Sequence, residues 1–260
     1  MLLVIDVGNT NTVMGVFNGE CLVKHWRIRS ERSRTEDEFY LLVRQLFDET
    51  GIHPADIEHT IIACVVPPMV SSLDALCRKY LGHPPFWVDA QAVRRMPNLY
   101  ANPSEVGSDR IVNAVAAYHK YRASLVVIDF GTATTFDCIS SRGEYLGGAI
   151  SPGIVIAAEA LFQNASRLPR VEIFKPPAGA IGKDTASSMQ AGIILGYAGL
   201  VDGLVQRIVS EMEDRPRVIA TGGLAPLMRD VCRTIERIEP DLTLEGLRLI
   251  YESEFRPSRP

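Results

Sequence analysis

Asp6-Val7-Gly8-Asn9-Thr10 returns in looser form as Asp129-Phe130-Gly131-Thr132-Ala133. Each copy follows a short apolar run that reads as a buried strand, Leu2 to Ile5 and Leu125 to Ile128. Each leads into further β-like residues and then a small-residue turn, Asn18-Gly19 and Arg142-Gly143. With the copies starting at residues 6 and 129 of a 260-residue chain, the pattern predicts two similar halves. Each half offers one glycine-rich strand–turn–strand hairpin to a shared cleft.

Such a turn can grip phosphate. Glycine admits a ligand to the backbone, and the N–H groups with the side chains of Asn9, Thr10 and Thr132 supply neutral donors. Asp6 and Asp129 would repel phosphate unless a cation stood between. Two facing hairpins of this kind point to an ATP-using phosphotransferase.

The bulk properties agree with a globular enzyme. The chain is 47% hydrophobic and 22% charged, enough apolar mass for a core. A net charge of −4 argues against general affinity for nucleic acid or an anionic membrane. The cysteines Cys21, Cys64, Cys77, Cys138 and Cys232 are odd in number, scattered and without a CxxC pair, which reads as small core residues in a reducing compartment. No basic segment precedes the apolar start, and the run Ala191 to Val209 carries Asp202, Gln206 and Arg207. Neither a signal peptide nor a membrane span is expected, and the cytoplasm is the expected location.

Strand-like runs fall near 2–6, 12–17, 21–28, 59–66, 85–88, 124–130, 133–139, 144–150 and 217–221. Thr35-Glu36-Asp37-Glu38 reads as a capping box opening a helix that Gly51 stops. Further helices are expected over 70–81, from Ser108 (as cap) to Tyr121, and around 154–164, 188–212 and 225–238. Strands followed by a helix, repeated twice, predict an α/β fold with mixed sheets. The polar Lys120-Tyr121-Arg122 places the boundary between lobes 1–120 and 121–260, and the tail from Glu252, with Pro257 and Pro260, reads as loosely held.

Other motifs are individually ambiguous. The chain has no GxGxxG, HExxH or GxSxG, and Gly182-Lys183-Asp184-Thr185 lacks the rest of a P-loop. In Gly107-Ser108-Asp109-Arg110, Asp109 falls in the first turn of a helix, where the dipole favours its ionised form. It could act as base towards an attacking hydroxyl, with Arg110 on an anionic group. The same four residues are also an ordinary helix opening with a solvated arginine. Gly147-Gly148-Ala149-Ile150-Ser151-Pro152-Gly153 and Thr221-Gly222-Gly223 are either ligand-facing loops or tight turns. Tyr100 serves either ligand packing or loop anchoring. The helix over 188–212, with Gly192, Gly196, Gly199 and Gly203, belongs either in the core or in a subunit interface.

In combination and in this order, GSDR (107–110), DFGTATT (129–135), GGAISPG (147–153) and GKDTASSMQAG (182–192) resemble the type III pantothenate kinases over nearly the whole length. These kinases have the acetate kinase/sugar kinase/Hsp70/actin fold: two actin-like, ribonuclease H-like lobes around a nucleotide cleft. The resemblance implies transfer of the ATP γ-phosphoryl group to the primary hydroxyl of pantothenate, the opening step of coenzyme A synthesis. Carried over by motif, Asp6, Val7, Gly8, Asn9, Thr10, Asn11, Thr12, Val13 and Thr132 hold the nucleotide phosphates. Asp109 is the base. Tyr100, Gly107, Ser108, Asp109, Arg110 and Thr185 bind pantothenate. Asp129 holds potassium or ammonium, magnesium accompanies ATP near Asp6, and a homodimer is implied. Two rivals compete: an ATP-binding transcription accessory protein of the same family without kinase activity, and a kinase of the superfamily acting on a sugar or carboxylate. A pure binding module needs no base, and the GSDR neighbourhood offers few of the groups that hold sugars.

Overall fold

A computed structural model describes residues 1–89, 93 and 96–255. In chain order the strands are β1 (Leu2–Val7), β2 (Asn11–Asn18), β3 (Cys21–Arg29), β4 (His59–Cys64), β5 (Phe86–Trp87), β6 (Leu125–Phe130), β7 (Ala133–Ile139), β8 (Tyr145–Pro152), β9 (Arg217–Thr221) and β10 (Arg237–Ile238). The helices are α1 (Glu36–Asp48), α2 (Val70–Leu76), α3 (Ser108–Tyr121), α4 (Ile154–Asn164), α5 (Thr185–Glu211), α6 (Ala225–Val231) and α7 (Leu242–Ile250). The chain is α/β, with two five-stranded mixed sheets.

The sheets run β3-β2-β1-β4-β5 and β8-β7-β6-β9-β10, the same order twice. In each, an antiparallel meander of three strands is extended on one side by parallel strands. This is the duplication that the repeated Asp-x-Gly motif announces. The second copy is tighter. Paired residues Val7 and Thr12 flank four residues in the first hairpin, whereas Phe130 and Thr134 flank three in the second.

The units that pack compactly are Met1–Pro97 with Ala101–Ala116 and Thr243–Pro260, and Asn98–Tyr100 with Ala117–Leu242. This division differs from the expected 1–120 and 121–260. It falls inside α3, and the C-terminal segment returns to the first unit. In that unit Leu3, Ile5 and Val7 of β1 pack with Phe39, Val43 and Phe47 of α1 and with Leu73 and Leu76 of α2. The Thr35 capping box forms as expected, its hydroxyl accepting from the Glu38 N–H while the Glu38 carboxylate accepts from the Thr35 N–H. Val4 points to the opposite face, where Leu244 of α7 and Val4 both crowd the bare Cα of Gly15. In the second unit Val126, Ile128 and Phe136 pack with Ile194, Tyr197, Val201 and Val205 of α5.

Three other expectations differ from the structure. The predicted helix over 225–238 stops at Val231, because the Asp202 carboxylate accepts hydrogen bonds from the Arg233 N–H (3.0 Å), the Thr234 N–H (3.0 Å) and the Thr234 hydroxyl (2.7 Å). The chain then turns into β10. Helix α5 starts at Thr185 rather than 188, since Asp184 and Ser187 form a capping box upstream of the apolar run. Its 27 residues are long and apolar enough to cross a membrane by length and composition, yet seven of them are buried in the unit's core. Finally, Glu252–Phe255 continue α7 as a π-helical turn rather than a loose tail, and Pro257 and Pro260 lie outside the described residues.

Close packing of α7 on α3 depends on Gly246, where a Cβ would sit 2.2 Å from the Val112 carbonyl oxygen. Gly246→Ala should lower the unfolding free energy by about 1–3 kcal/mol in urea titrations. Gly179→Ala, with nothing within 4 Å, should stay within about 0.5 kcal/mol. Equal stability of the two variants would remove α7 from the structural core.

Candidate active site

In the first unit, Asp6 and Val7 end β1, Gly8, Asn9 and Thr10 form the turn, and Asn11, Thr12 and Val13 open β2. Asn9, Thr10 and Asn11 are exposed, as a ligand-gripping loop requires. The turn is clamped from behind. The Gly8 N–H donates to the Asn11 carbonyl (3.0 Å), the Ser30 N–H to the Thr10 carbonyl (2.9 Å) and the Ser30 hydroxyl to the Gly8 carbonyl (2.7 Å). With the Ser30 proton committed to Gly8, the buried Thr12 hydroxyl, 2.9 Å away, donates to Ser30. Ser30 closes this network from just beyond β3, and nothing in the sequence reading singled it out. Arg32 reaches Asn9 Oδ1 at 3.4 Å and brings a cation to the loop. Asp6 makes itself felt at half-buried Cys64. Burial pushes that thiol pKa up, the Val66 backbone partly offsets the rise, and the nearby carboxylate adds to it.

The GSDR segment lies close by. The Val65 N–H donates to the Val7 carbonyl at 3.1 Å, and a Cβ on Gly107 would lie 3.7 Å from Val65 Cγ1. Val65 therefore sits against both the end of β1 and the approach to α3. Helix α3 begins at Ser108 itself, so Ser108 is not the expected cap, and the Gly107 carbonyl starts the ladder by accepting from Arg110 and Ile111. The Ser108 hydroxyl is buried without a hydrogen-bond partner among the described residues. The half-buried Asp109 carboxyl folds back over Gly107, where a Cβ would stand 2.5 Å from Oδ1, and accepts from the Arg110 N–H at 2.9 Å. Desolvation raises the Asp109 pKa above the ordinary carboxylate value. The Arg110 N–H and the Arg110 guanidinium hold the rise back.

In the second unit the remaining glycine-rich motifs converge. Asp129 pairs with Thr135 on one side and Thr221 on the other. Exposed Thr132 in the β6–β7 turn accepts from the Gly153 N–H at 3.1 Å, which joins GGAISPG to the second hairpin. The Tyr197 hydroxyl of α5 reaches Thr134 Oγ1 and the Pro152 carbonyl oxygen, each at 2.7 Å. Gly222 adopts φ +91°, and a Cβ there would lie 2.5 Å from Asp129 Oδ1 and 2.7 Å from the Phe130 backbone. The third loop, Thr221-Gly222-Gly223, therefore cradles the Asp129 carboxylate.

That cradle also tests the expected cation. Among the described residues no cluster of three or more His, Cys, Asp or Glu side chains is placed to hold a metal. The Asp129 carboxylate shares the surroundings of Gly222 and Gly131 with the Phe130 and Ala133 carbonyl oxygens, hard oxygen donors of the type that alkali and alkaline-earth cations take. A carboxylate with backbone carbonyls fits a hard cation.

Tyr100 belongs to the second unit and rests on Gly147, and exposed Thr185 opens α5. Thr185 edges a groove of about 700 Å³ whose lining includes Lys183, Ser188, Leu161, Leu168 and Met189. Within the first unit, then, the structure gathers residues 6–13 with 107–110. Within the second it gathers Asp129 and Thr132, while Tyr100 stands at β8 and Thr185 at the head of α5.

The family model described as type III pantothenate kinase matches residues 2–207. A protein named type III pantothenate kinase from Desulfatibacillum aliphaticivorans is 70% identical over 252 residues, covering 97% of this chain and 98% of its own. Another of that name from Syntrophus aciditrophicus is 58% identical, covering 97% and 99%. Among solved structures, one described as a conserved putative Baf family transcriptional activator from Campylobacter jejuni superposes with a TM-score of 0.61 at 18% identity, covering 96% of this chain and 97% of its own. The activator of 2-hydroxyisocaproyl-CoA dehydratase from Clostridium difficile, with bound ADPNP, superposes at 0.53 and 13% identity, covering 100% and 98%. At those identities the likeness is one of fold. With the family model spanning most of its length and a relative 70% identical across 97% of it, this chain belongs to the type III pantothenate kinases.

Proposed function

We propose that Asp109 is the general base with which this chain carries out its reaction, ATP-dependent phosphorylation of pantothenate, the first step of coenzyme A synthesis. The observation that carries the assignment is the Asp109 carboxyl itself. It is half-buried at the head of α3, beside the end of β1, with its pKa raised by desolvation. A raised carboxylate pKa lies closer to the working pH and makes a better proton acceptor than an ordinary aspartate. Phosphoryl transfer asks little covalent chemistry of a protein and much positioning, so the other residues hold and orient.

Residues 6–13 and Thr132 hold the nucleotide phosphates through backbone N–H groups and the exposed amide and hydroxyl side chains of the two hairpins. Gly107, Ser108, Arg110, Tyr100 and Thr185 hold pantothenate, with Arg110 taking its carboxylate. The groove beside Thr185, lined by Leu161, Leu168 and Met189 together with Lys183, Asp184 and Ser188, supports that role. Asp129 in its glycine cradle holds potassium or ammonium, and magnesium accompanies ATP near Asp6. When bound, these cations neutralise phosphate charge that the two carboxylates would otherwise repel. The enzyme acts in the cytoplasm as a homodimer, without nucleic-acid or membrane partners. The dimer is supported by exposed apolar side chains of the second unit, among them Ile150, Val155, Ile156, Phe174 and Ile181, and sedimentation should give twice the chain mass.

Pantothenate-dependent ADP release is the direct assay. Asp109→Asn should lose ~10²–10⁴-fold in kcat with ATP binding intact, and a loss under about tenfold would leave Asp109 a positioning residue. The acid limb of the wild-type kcat profile should lie above the ordinary carboxylate pKa.

The same shift has a stability consequence. Because the folded pKa is raised, the folded state holds the Asp109 proton to higher pH than the unfolded chain does. Stability falls as pH rises through that window. Asp109→Asn should therefore melt higher than wild type at neutral pH, with the gap closing on acidification below the ordinary aspartate pKa. A constant gap from acid to neutral pH would contradict the burial argument.

Replacing potassium by sodium or Tris should sharply raise the KM for ATP. Identical kinetics in the three buffers would dismiss the cation at Asp129.

A further inference from the structure

The Asp137 side chain lies outside the groups assigned to pantothenate phosphorylation, and it is completely buried on β7. Its Oδ1 accepts from the Tyr145 hydroxyl at 2.7 Å and its Oδ2 from the Thr135 hydroxyl at 3.0 Å. A buried carboxyl costs desolvation energy, and an apolar group of similar volume often packs as well or better. Hydrogen bonds at both oxygens, one to the adjacent strand β8 and one along its own strand β7, hold this carboxyl in a defined place.

The Tyr145 end of this network leads to Tyr100. Tyr145, itself completely buried, accepts at its carbonyl oxygen from the Leu99 N–H at 2.9 Å. Asn98 forms a parallel bridge with Tyr145 and accepts at Oδ1 from the Tyr100 N–H at 3.0 Å. Two residues further along β8, Gly147 presents a bare surface at φ +117°, where a Cβ would lie 3.3 Å from Tyr100 Cδ2. The segment Asn98–Tyr100 packs with the second unit although its sequence neighbours on both sides pack with the first. Tyr145 and Gly147 supply the contacts that hold it there. The Thr135 end of the network points the other way: Thr135 stands opposite Asp129 in the β6–β7 ladder.

We infer that Asp137 is a positioning residue for the acceptor substrate. Through Tyr145 it sets the place of Tyr100, and through Thr135 it keeps that place in register with the strand that carries Asp129. Asp137 touches neither substrate. The inference rests on the reading of Tyr100 as a pantothenate-binding residue, and the experiment separates the two.

Steady-state kinetics would be measured with pantothenate and ATP varied in turn, on Tyr145→Phe, Asp137→Asn, Tyr100→Ala and the Tyr100→Ala/Tyr145→Phe double variant. Loss of one hydrogen bond's worth of placement predicts a pantothenate KM raised about three- to tenfold in Tyr145→Phe, with kcat and the ATP KM within about twofold. Asp137→Asn keeps an acceptor for the Tyr145 hydroxyl and should show a smaller rise. Tyr100→Ala should raise the pantothenate KM, and adding Tyr145→Phe to it should change little further, since contacting groups that act as a unit are not additive. A normal pantothenate KM in Tyr145→Phe, with a raised one in Tyr100→Ala, overturns the role of Asp137 while Tyr100 keeps its own. An unchanged KM in Tyr100→Ala overturns both. Parallel changes in both KM values and kcat, together with a lowered Tm, would make the network structural only and overturn the inference. Tyr145→Phe conserves volume, so it keeps the test decisive if an Asp137 variant fails to fold.

Discussion

Strands β1 and β6 are each six residues long, share one burial pattern and carry an aspartate at the fifth position, the one place in each strand that is not fully buried. A strand central to its sheet can be buried on both faces only if its side chains are apolar. A carboxylate is tolerated where the strand emerges, and there it must find a cation or hydrogen-bond donors. Much of the functional architecture follows from that constraint. The turn after each aspartate opens on or contains a glycine whose N–H closes the turn, Gly8 on the Asn11 carbonyl and Gly131 on the Ala133 carbonyl. The neighbouring elements, Ser30 and Val65 in one unit and Gly153 and Gly222 in the other, close in from behind with backbone or bare Cα.

The two copies have diverged in how they meet this demand. The first keeps a longer turn, a hydroxyl pair beneath it and an arginine beside it. The second shortens the turn and sets Gly222 against the Asp129 carboxylate. The two hairpins share one topology, and the difference between them lies in turn length and in which groups pack behind the turn.

The carboxylates outside the hairpins follow the same physics in opposite directions. Asp109 is drawn out of water with incomplete compensation, so its pKa rises. Asp137 goes deeper but is answered at both oxygens by hydroxyl donors. A buried carboxyl with a hydroxyl donor at each oxygen is fixed in place, whereas one with partial compensation has its proton equilibrium shifted.

The sequence by itself determined the duplication, the strand–turn–strand hairpins, the capping box at Thr35 and the family to which the chain belongs. All of these rest on short-range patterns, such as apolar runs ending in Asp-x-Gly, that are written within a few consecutive residues. Only the tertiary structure decided that α7 returns to cover the second face of the first sheet, that Asp202 halts the helix after Val231, and that Asn98–Tyr100 packs against Tyr145. It also decided that Ser30 bonds to the first turn, Tyr145 to Asp137, and Tyr197 to Thr134 and Pro152. Apart from the Asp137 bonds to Tyr145 and Thr135, these contacts join partners tens of residues apart, and no local periodicity records which distant carbonyl a serine will reach or which carboxylate a tyrosine will meet.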